Sequence, residues 1–132
     1  ERGSGVIVNI VGLAANVPDA HHICASTANA SMAMLTQALG GVGPASGVRV
    51  VGVNPGLVQT DRMIRIMEPR AKEELGASAR WGELVSHLPY GRPAYPKEIA
   101  DVVAFLASDR ASYLSGIVIP IDAGFSVSHR CF

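Results

Sequence analysis

Residues Val48 to Thr60, VRVVGVNPGLVQT, constrain the fold more than any other stretch of the chain. Valine stands at 48, 50, 51 and 53 with Arg49 as the single charge, the pattern of a strand covered on both faces in a parallel sheet. At Asn54-Pro55-Gly56 the chain has to leave that sheet, because proline fixes φ and removes a donor while glycine accepts positive φ. Ligands of open α/β sheets bind in the crevice beyond the carboxyl ends of the strands. A strand that ends here delivers Val58 and Thr60 to such a crevice, although an ordinary strand and turn would have the same local pattern.

The stretches on either side read as alternating helices and strands. Val6 to Ile10, VIVNI, is a second strand of the buried kind, broken only by Asn9. It comes directly after Glu1 to Gly5, and a buried strand needs neighbours on both sides, so the expectation is the carboxyl-terminal part of a longer protein or a chain that has lost its first half. Gly12 to His22 is a loop with a turn at Pro18-Asp19, where Asp19 can cap the helix beyond it. From Ile23 to about Leu39 the pattern is helical. Met32, Leu35 and Leu39 form one apolar stripe, while Ala30, Ala33, Met34 and Ala38 leave most of the remaining surface small or apolar. Such a helix is expected to be buried on two sides, one against the sheet and the other against more of this chain or a second subunit.

Gly40 to Gly47 is glycine-rich, but it ends a helix and leads into a strand, whereas a phosphate-binding loop ends a strand and opens a helix. It reads as a C-cap and linker. Between Asp61 and Pro93, Met63, Ile66 and Met67, then Trp81, Leu84, Val85 and Leu88, recur at helical spacing. Two short amphipathic helices there would form a lid over the crevice with an adaptable apolar wall, or would simply dock on the core. Pro96 to Ser108 is a helix with proline at its first position, Lys97, Glu98 and Asp101 toward water, and Ile99, Val102, Val103 and Leu106 inward. Gly116 to Ile121 is a third strand, and its Pro120 points to a sheet edge or a strand end. Strand, helix, strand, helices, strand is the order of an α/β fold with right-handed crossovers.

Eleven basic residues balance eleven acidic ones, which excludes a charge-driven nucleic-acid binder. No apolar run approaches the roughly 20 residues needed to span a bilayer, and the amino terminus has no signal-peptide pattern. Cytoplasm is the default location, with Cys24 and Cys131 as reduced thiols whose spacing suggests neither a disulfide nor a metal site.

Several blocks taken together resemble the short-chain dehydrogenase/reductase family: Arg49-Val50, Pro55-Gly56-Leu57-Val58-Gln59-Thr60, Gly91-Arg92-Pro93, Pro96-Lys97-Glu98-Ile99-Ala100, Phe105-Leu106-Ala107-Ser108, Tyr113-Leu114-Ser115-Gly116 and Asp122-Ala123-Gly124. The resemblance implies the carboxyl-terminal half of a Rossmann-like doubly wound parallel sheet. Residues 1–132 would form a single partial domain, with a crevice loop at 54–60 and a lid at 61–93. It further implies NAD or NADP in a complete form of the protein, with Pro55, Gly56, Val58 and the Thr60 hydroxyl receiving the nicotinamide carboxamide. A small-molecule carbonyl or alcohol would be the substrate, and the protein would be a homo-oligomer, dimer or tetramer. The family's glycine-rich loop would lie before residue 1, so this chain alone does not hold a complete dinucleotide.

The family's chemistry uses a serine, and a tyrosine followed four residues later by a lysine. That spacing puts both on one helix face, where the cation lowers a phenol pKa of about 10. Ungapped matching through Asn9-Ile10 and Ala30-Ser31-Met32 places Gly12, Ala25 and Asn29 at those three positions, and no tyrosine and lysine elsewhere in the chain are four apart. The substitutes at hand are His22, Ser26 and Asn29. His22 and Ser26 are one helical turn apart and imidazole is suited to proton transfer near neutral pH, while Asn29 can hydrogen-bond a ribose hydroxyl. The plainer alternative makes His21 and His22 solvated helix-start residues. Two functions follow: an oxidoreductase of this family with impaired or incomplete chemistry, or a non-catalytic binding or assembly subunit that keeps the fold.

Overall fold

The computed structural model describes residues 3–128, so Cys131 lies outside the described residues. Three parallel strands, β1 (Gly5–Ile10), β2 (Val48–Pro55) and β3 (Val118–Ile121), form a sheet in the order β1-β2-β3. Gly5 pairs with Val48 and Ile10 with Val53, while Gly52 pairs with Val118 and Pro55 with Ile121. Helix α1 (Ile23–Val42) joins β1 to β2. The longer connection from β2 to β3 carries α2 (Asp61–Leu75), the single turn α3 (Trp81–Leu84) and α4 (Pro96–Ala107), and a last turn, α5 (Phe125–Ser128), follows β3. No helix among the described residues is long and apolar enough to cross a membrane.

β2 is the centre of the sheet, and Val50 to Asn54 are buried without interruption. Its side chains alternate, as a strand requires. Val51 and Val53 enter a core with Ile99 and Leu106 of α4, and Val6, Val8, Ile119 and Ile121 pack around it. The inward periodicity expected of α4 is the one found. Arg49 locks that helix in place by donating to the carbonyls of Leu106 (2.9 Å) and Ser108 (3.1 Å), where the helix dipole favours a cation.

Several elements depart from the sequence pattern. β1 is an edge strand, not one covered on both faces: Ile7 is 47% and Ile10 59% exposed, because the described residues pair it on one side alone. The line of α1 that packs toward the sheet is Ser26, Asn29, Ala33, Thr36 and Gly40, of which Thr36 and Gly40 are buried. Met32, Leu35 and Leu39 stand on the open side with Met34, so within this chain α1 is covered on one side. The helix also runs on through Gly40 to Val42 instead of capping there, and the linker is a 3-10 turn over Gly43–Ser46 ended by Gly47 in the left-handed region. Gly40 allows this. A Cβ on it would collide with the Gly116 backbone and the Val50 carbonyl, and the segment is clasped there by Ser115 Oγ donating to the Gly40 carbonyl at 2.8 Å. After the crevice loop there is one long helix of 15 residues and one short turn, where two short helices were expected. β3 begins at Val118, two residues later than expected, with Pro120 on a strand at the sheet edge.

Candidate active site

The crevice loop opens where β2 and β3 stop. Gly56 N–H donates to the Ile121 carbonyl at 3.0 Å, which holds the two strand ends together. Val58 then bridges Ala94: Gln59 N–H donates to Ala94 O (2.8 Å) and Ala94 N–H to Leu57 O (2.9 Å). In a parallel bridge of this kind the N–H and C=O of Val58 point the other way, and its carbonyl accepts from Thr60 N–H at 2.9 Å. Thr60 is the N-cap of α2, its hydroxyl oxygen accepting from Met63 N–H at 3.2 Å. The O–H of that hydroxyl remains a donor. Pro55, Gly56, Val58 and Thr60 are thus fixed on one short loop at the carboxyl ends of the strands.

Gly12, Ala25 and Asn29 also come together. Asn29 Nδ2 donates to the Ala25 carbonyl at 2.8 Å, and a Cβ built on Gly12 would lie 3.0 Å from Asn29 Oδ1. His22 and Ser26 meet through Asp19 and not each other. His22 Nδ1 is 2.8 Å from Asp19 Oδ2, and Ser26 Oγ accepts from Asp19 N–H at 3.3 Å. Asp19 further accepts from His21 N–H at 2.8 Å, capping the turn that leads into α1. The hydrogen bond with His22 is the main cause that lowers the Asp19 carboxyl below its ordinary value, aided by His21 N–H. His22 is an exposed side chain at the helix start.

Beside the loop lies a cleft of about 280 Å³. It is lined by Leu13, next to Gly12, by Gly56 and Leu57 of the crevice loop, by Leu88, Pro89 and Tyr90, and by Ala123 and Phe125. Part of the segment expected as a lid therefore does line a cleft. Met63, Ile66 and Met67 line a second hollow with Val58 and Thr60, and Trp81 lines neither. The charged residues of the main cleft are already paired. Arg92 makes a two-pronged contact with Glu98 at 2.8 and 2.9 Å, and Glu98 also accepts from Tyr95 N–H at 2.6 Å. The Arg92 bonds first, and then the Tyr95 N–H, lower the Glu98 pKa to about 2. Burial pushes the Asp122 carboxyl up, but hydrogen bonds from Ser126 and Gly124 hold it below the usual value.

Buried Asn54, at the end of β2, carries a side-chain amide with no partner among the described residues. It sits on the α1 side of the sheet, and sequence reasoning gave it a turn-forming role alone.

A family model described as Enoyl-(Acyl carrier protein) reductase matches residues 1–126. The chain belongs to the short-chain dehydrogenase/reductase family. It is 36% identical over 124 residues to the cis-4-hydroxycyclohexanecarboxylate dehydrogenase of Sinomonas cyclohexanicum, a match covering 94% of this chain and 46% of that protein. Among solved structures it resembles the L-sorbose reductase of Gluconobacter frateurii complexed with NADPH and L-sorbose, at a TM-score of 0.87 and 27% identity over 96% of this chain and 49% of the other. It is also similar to a short chain oxidoreductase of Pseudomonas aeruginosa PAO1 containing an atypical catalytic center (TM-score 0.81, 32% identity, 92% of this chain and 47% of that one). The chain spans about half the length of the relatives it matches. The α/β fold with a parallel sheet expected from the sequence is the fold of these neighbours.

Proposed function

We propose that in a form carrying the amino-terminal half of the fold this protein is an NAD(P)-dependent oxidoreductase that moves a hydride between the cofactor and a small-molecule carbonyl or alcohol. One observation carries the reading: the Val58–Ala94 bridge fixes the crevice loop so that the Val58 backbone and the Thr60 O–H are presented beyond the strand ends. Those are the hydrogen-bonding groups a carboxamide needs. NADPH in the sorbose reductase and the dehydrogenase names among the relatives support the cofactor and the substrate class. Without a phenol and an ammonium at Ala25 and Asn29, proton transfer has no strong donor, and a positioned general acid is worth about 10²–10⁴-fold in rate. Turnover of ordinary carbonyls is therefore slow, with His22, Ser26 and Asn29 as the remaining polar groups of that helix end. The open apolar side of α1, with Met34 65% and Val42 67% exposed, supports a homo-oligomer. Cytoplasm remains the proposed location.

The test is a cofactor fluorescence titration with NADH and NADPH on the form carrying the amino-terminal half, as wild type, Thr60→Ser and Thr60→Val. Serine keeps both the cap and the donor, whereas valine loses them. Valine should weaken binding by about 1 kcal/mol, one hydrogen bond's net worth, and serine should not. Equal affinities in all three would show that the loop does not hold the carboxamide.

A further inference from the structure

We propose that Asp19 is a positioning residue for His22, holding its imidazole in the Nδ1–H tautomer so that Nε2 gives the proton to the substrate oxygen. The role rests on the proposed oxidoreductase function. The pair is built by its own turn. Asp19 Oδ1 accepts from His21 N–H at 2.8 Å, and Asp19 N–H donates to Ser26 Oγ at 3.3 Å, so this residue is tied to the start of α1 by side chain and backbone. Its other oxygen, Oδ2, lies 2.8 Å from His22 Nδ1. The bond with His22, and then that with His21 N–H, holds the Asp19 carboxyl below its ordinary value, so it is a carboxylate. A carboxylate only accepts, which assigns the proton between the two to Nδ1. Nε2 is left as the working nitrogen, on a side chain 69% exposed that can exchange protons with water.

Placement comes from the helix. His22, the N-cap of α1, heads the line Ser26, Asn29, Ala33, Thr36 and Gly40 that packs toward the sheet, and Ala25 stands one turn on. Long side chains on a helix lean back over the preceding turn. The space above His21 and His22 that a tyrosine at 25 would cover is therefore left free by Ala25. The turn Leu13–Ala15 packs on both α1 and β2, and its Leu13 lines the cleft beside the crevice loop, so one turn connects the helix start with that cleft. This turn carries no titratable side chain, and the charges that face the Asp19 carboxyl are His22 and His21. Cys24, two residues on, points to another side of the helix.

In the reduction direction, the oxygen of a carbonyl whose carbon accepts hydride from NAD(P)H forms its O–H bond as the Nε2–H bond of the imidazolium breaks. Neutral His22 keeps Nδ1–H on Asp19 and is reprotonated at Nε2 by water. Oxidation of an alcohol runs the same transfer backwards, with Nε2 as the base. Imidazole is the side chain whose charge changes near neutral pH, so it serves both directions.

The experiment uses the form carrying the amino-terminal half. With isotope-labelled histidine and no cofactor, imidazole NMR should place the proton of neutral His22 on Nδ1, and Asp19→Asn should move it to Nε2. The asparagine oxygen has to stay on His21 N–H, so its Nδ2 faces Nδ1 as a donor. With 1-indanone and NADH or NADPH, the wild-type rate should fall as pH rises from 5 to 9. His22→Ala should be about tenfold to a hundredfold slower at the acid end and lose that slope, Asp19→Asn should lose kcat and keep KM, and His21→Ala should match wild type. An Nε2–H tautomer in wild type, or cofactor-dependent turnover indifferent to His22→Ala and Asp19→Asn, would overturn the assignment. No turnover in any variant, Gly12→Ser/Ala25→Tyr/Asn29→Lys included, would overturn the oxidoreductase reading itself and this role with it.

Discussion

The two faces of the central strand are built on opposite plans. Toward α4, Val51 and Val53 meet Ile99 and Leu106 in a dry apolar layer, and the helix shows its polar side to water. Toward α1, Gly52 and Asn9 meet Thr36 and the Val50 carbonyl lies close to Gly40, and the helix turns its large apolar residues outward. Asn9 Nδ2 donates to Thr36 Oγ1 at 2.8 Å, and Thr36 Oγ1 donates to the Met32 carbonyl. One face is held by hydrophobic area and the other by close backbone approach and paired polar groups. The face built on small and polar residues is also the one that leads to Gly12, Ala25 and Asn29, and it leaves α1 with its large apolar residues exposed.

The largest effect should separate the two faces outright. Leu106→Ala empties a fully buried site and should cost about 2–5 kcal/mol in urea unfolding, whereas Met34→Ala on the open side of α1 should stay within about 0.5 kcal/mol at protein concentrations low enough to keep the chain monomeric. Equal losses would mean that α1 is packed on both sides after all. Neighbouring glycines sharpen the contrast. Gly40→Ala pushes a methyl into the Gly116 backbone and should cost about 1–3 kcal/mol, while Gly41→Ala, with open space around it, should stabilise by about 0.5–1 kcal/mol. A smaller gain, up to about 1 kcal/mol, is expected from Asn54→Leu, which keeps the branch at Cγ and removes an unpartnered buried amide. A loss there would reveal a partner such as a bound water.

The smallest effect is the pH response at the start of α4. The pKa of folded Glu98 is lowered to about 2, below the unfolded value of about 4.3. Its contribution is fully present above that unfolded value and fades as pH falls toward 2. The pair is exposed, so the slope is shallow. Unfolding curves of wild type and Glu98→Gln between pH 6 and 2 should converge as the pH drops, and parallel curves would remove the Arg92–Glu98 pair from the account.

What could be read from the sequence follows the same division. α4 was legible because Ile99, Val102, Val103 and Leu106 repeat on the face that is buried. α1 was legible as a helix, but its packing side was not, since Ser26, Asn29, Ala33, Thr36 and Gly40 carry no hydrophobic signal while Met32, Leu35 and Leu39 do. β1 looked like an interior strand because its apolar run says nothing about which neighbours are present. At the site, Pro55-Gly56 signals the turn by which the chain leaves β2, and Gly12 lies against Asn29 of α1; the roles assigned to these residues are proposals. The strained backbone of Tyr90 and Ala123 had no such signature, because neither residue type signals positive φ.

The central proposal is that Gly12, Ala25 and Asn29 stand at the positions where the family carries its acid–base groups. Its direct test is the rate of 1-indanone reduction, with NADH and with NADPH, in a form of the protein carrying the amino-terminal half, compared with Gly12→Ser/Ala25→Tyr/Asn29→Lys in the same form. The account predicts that the triple variant is faster by about 10²–10⁴-fold. A wild type that is already as fast as the triple variant would contradict it.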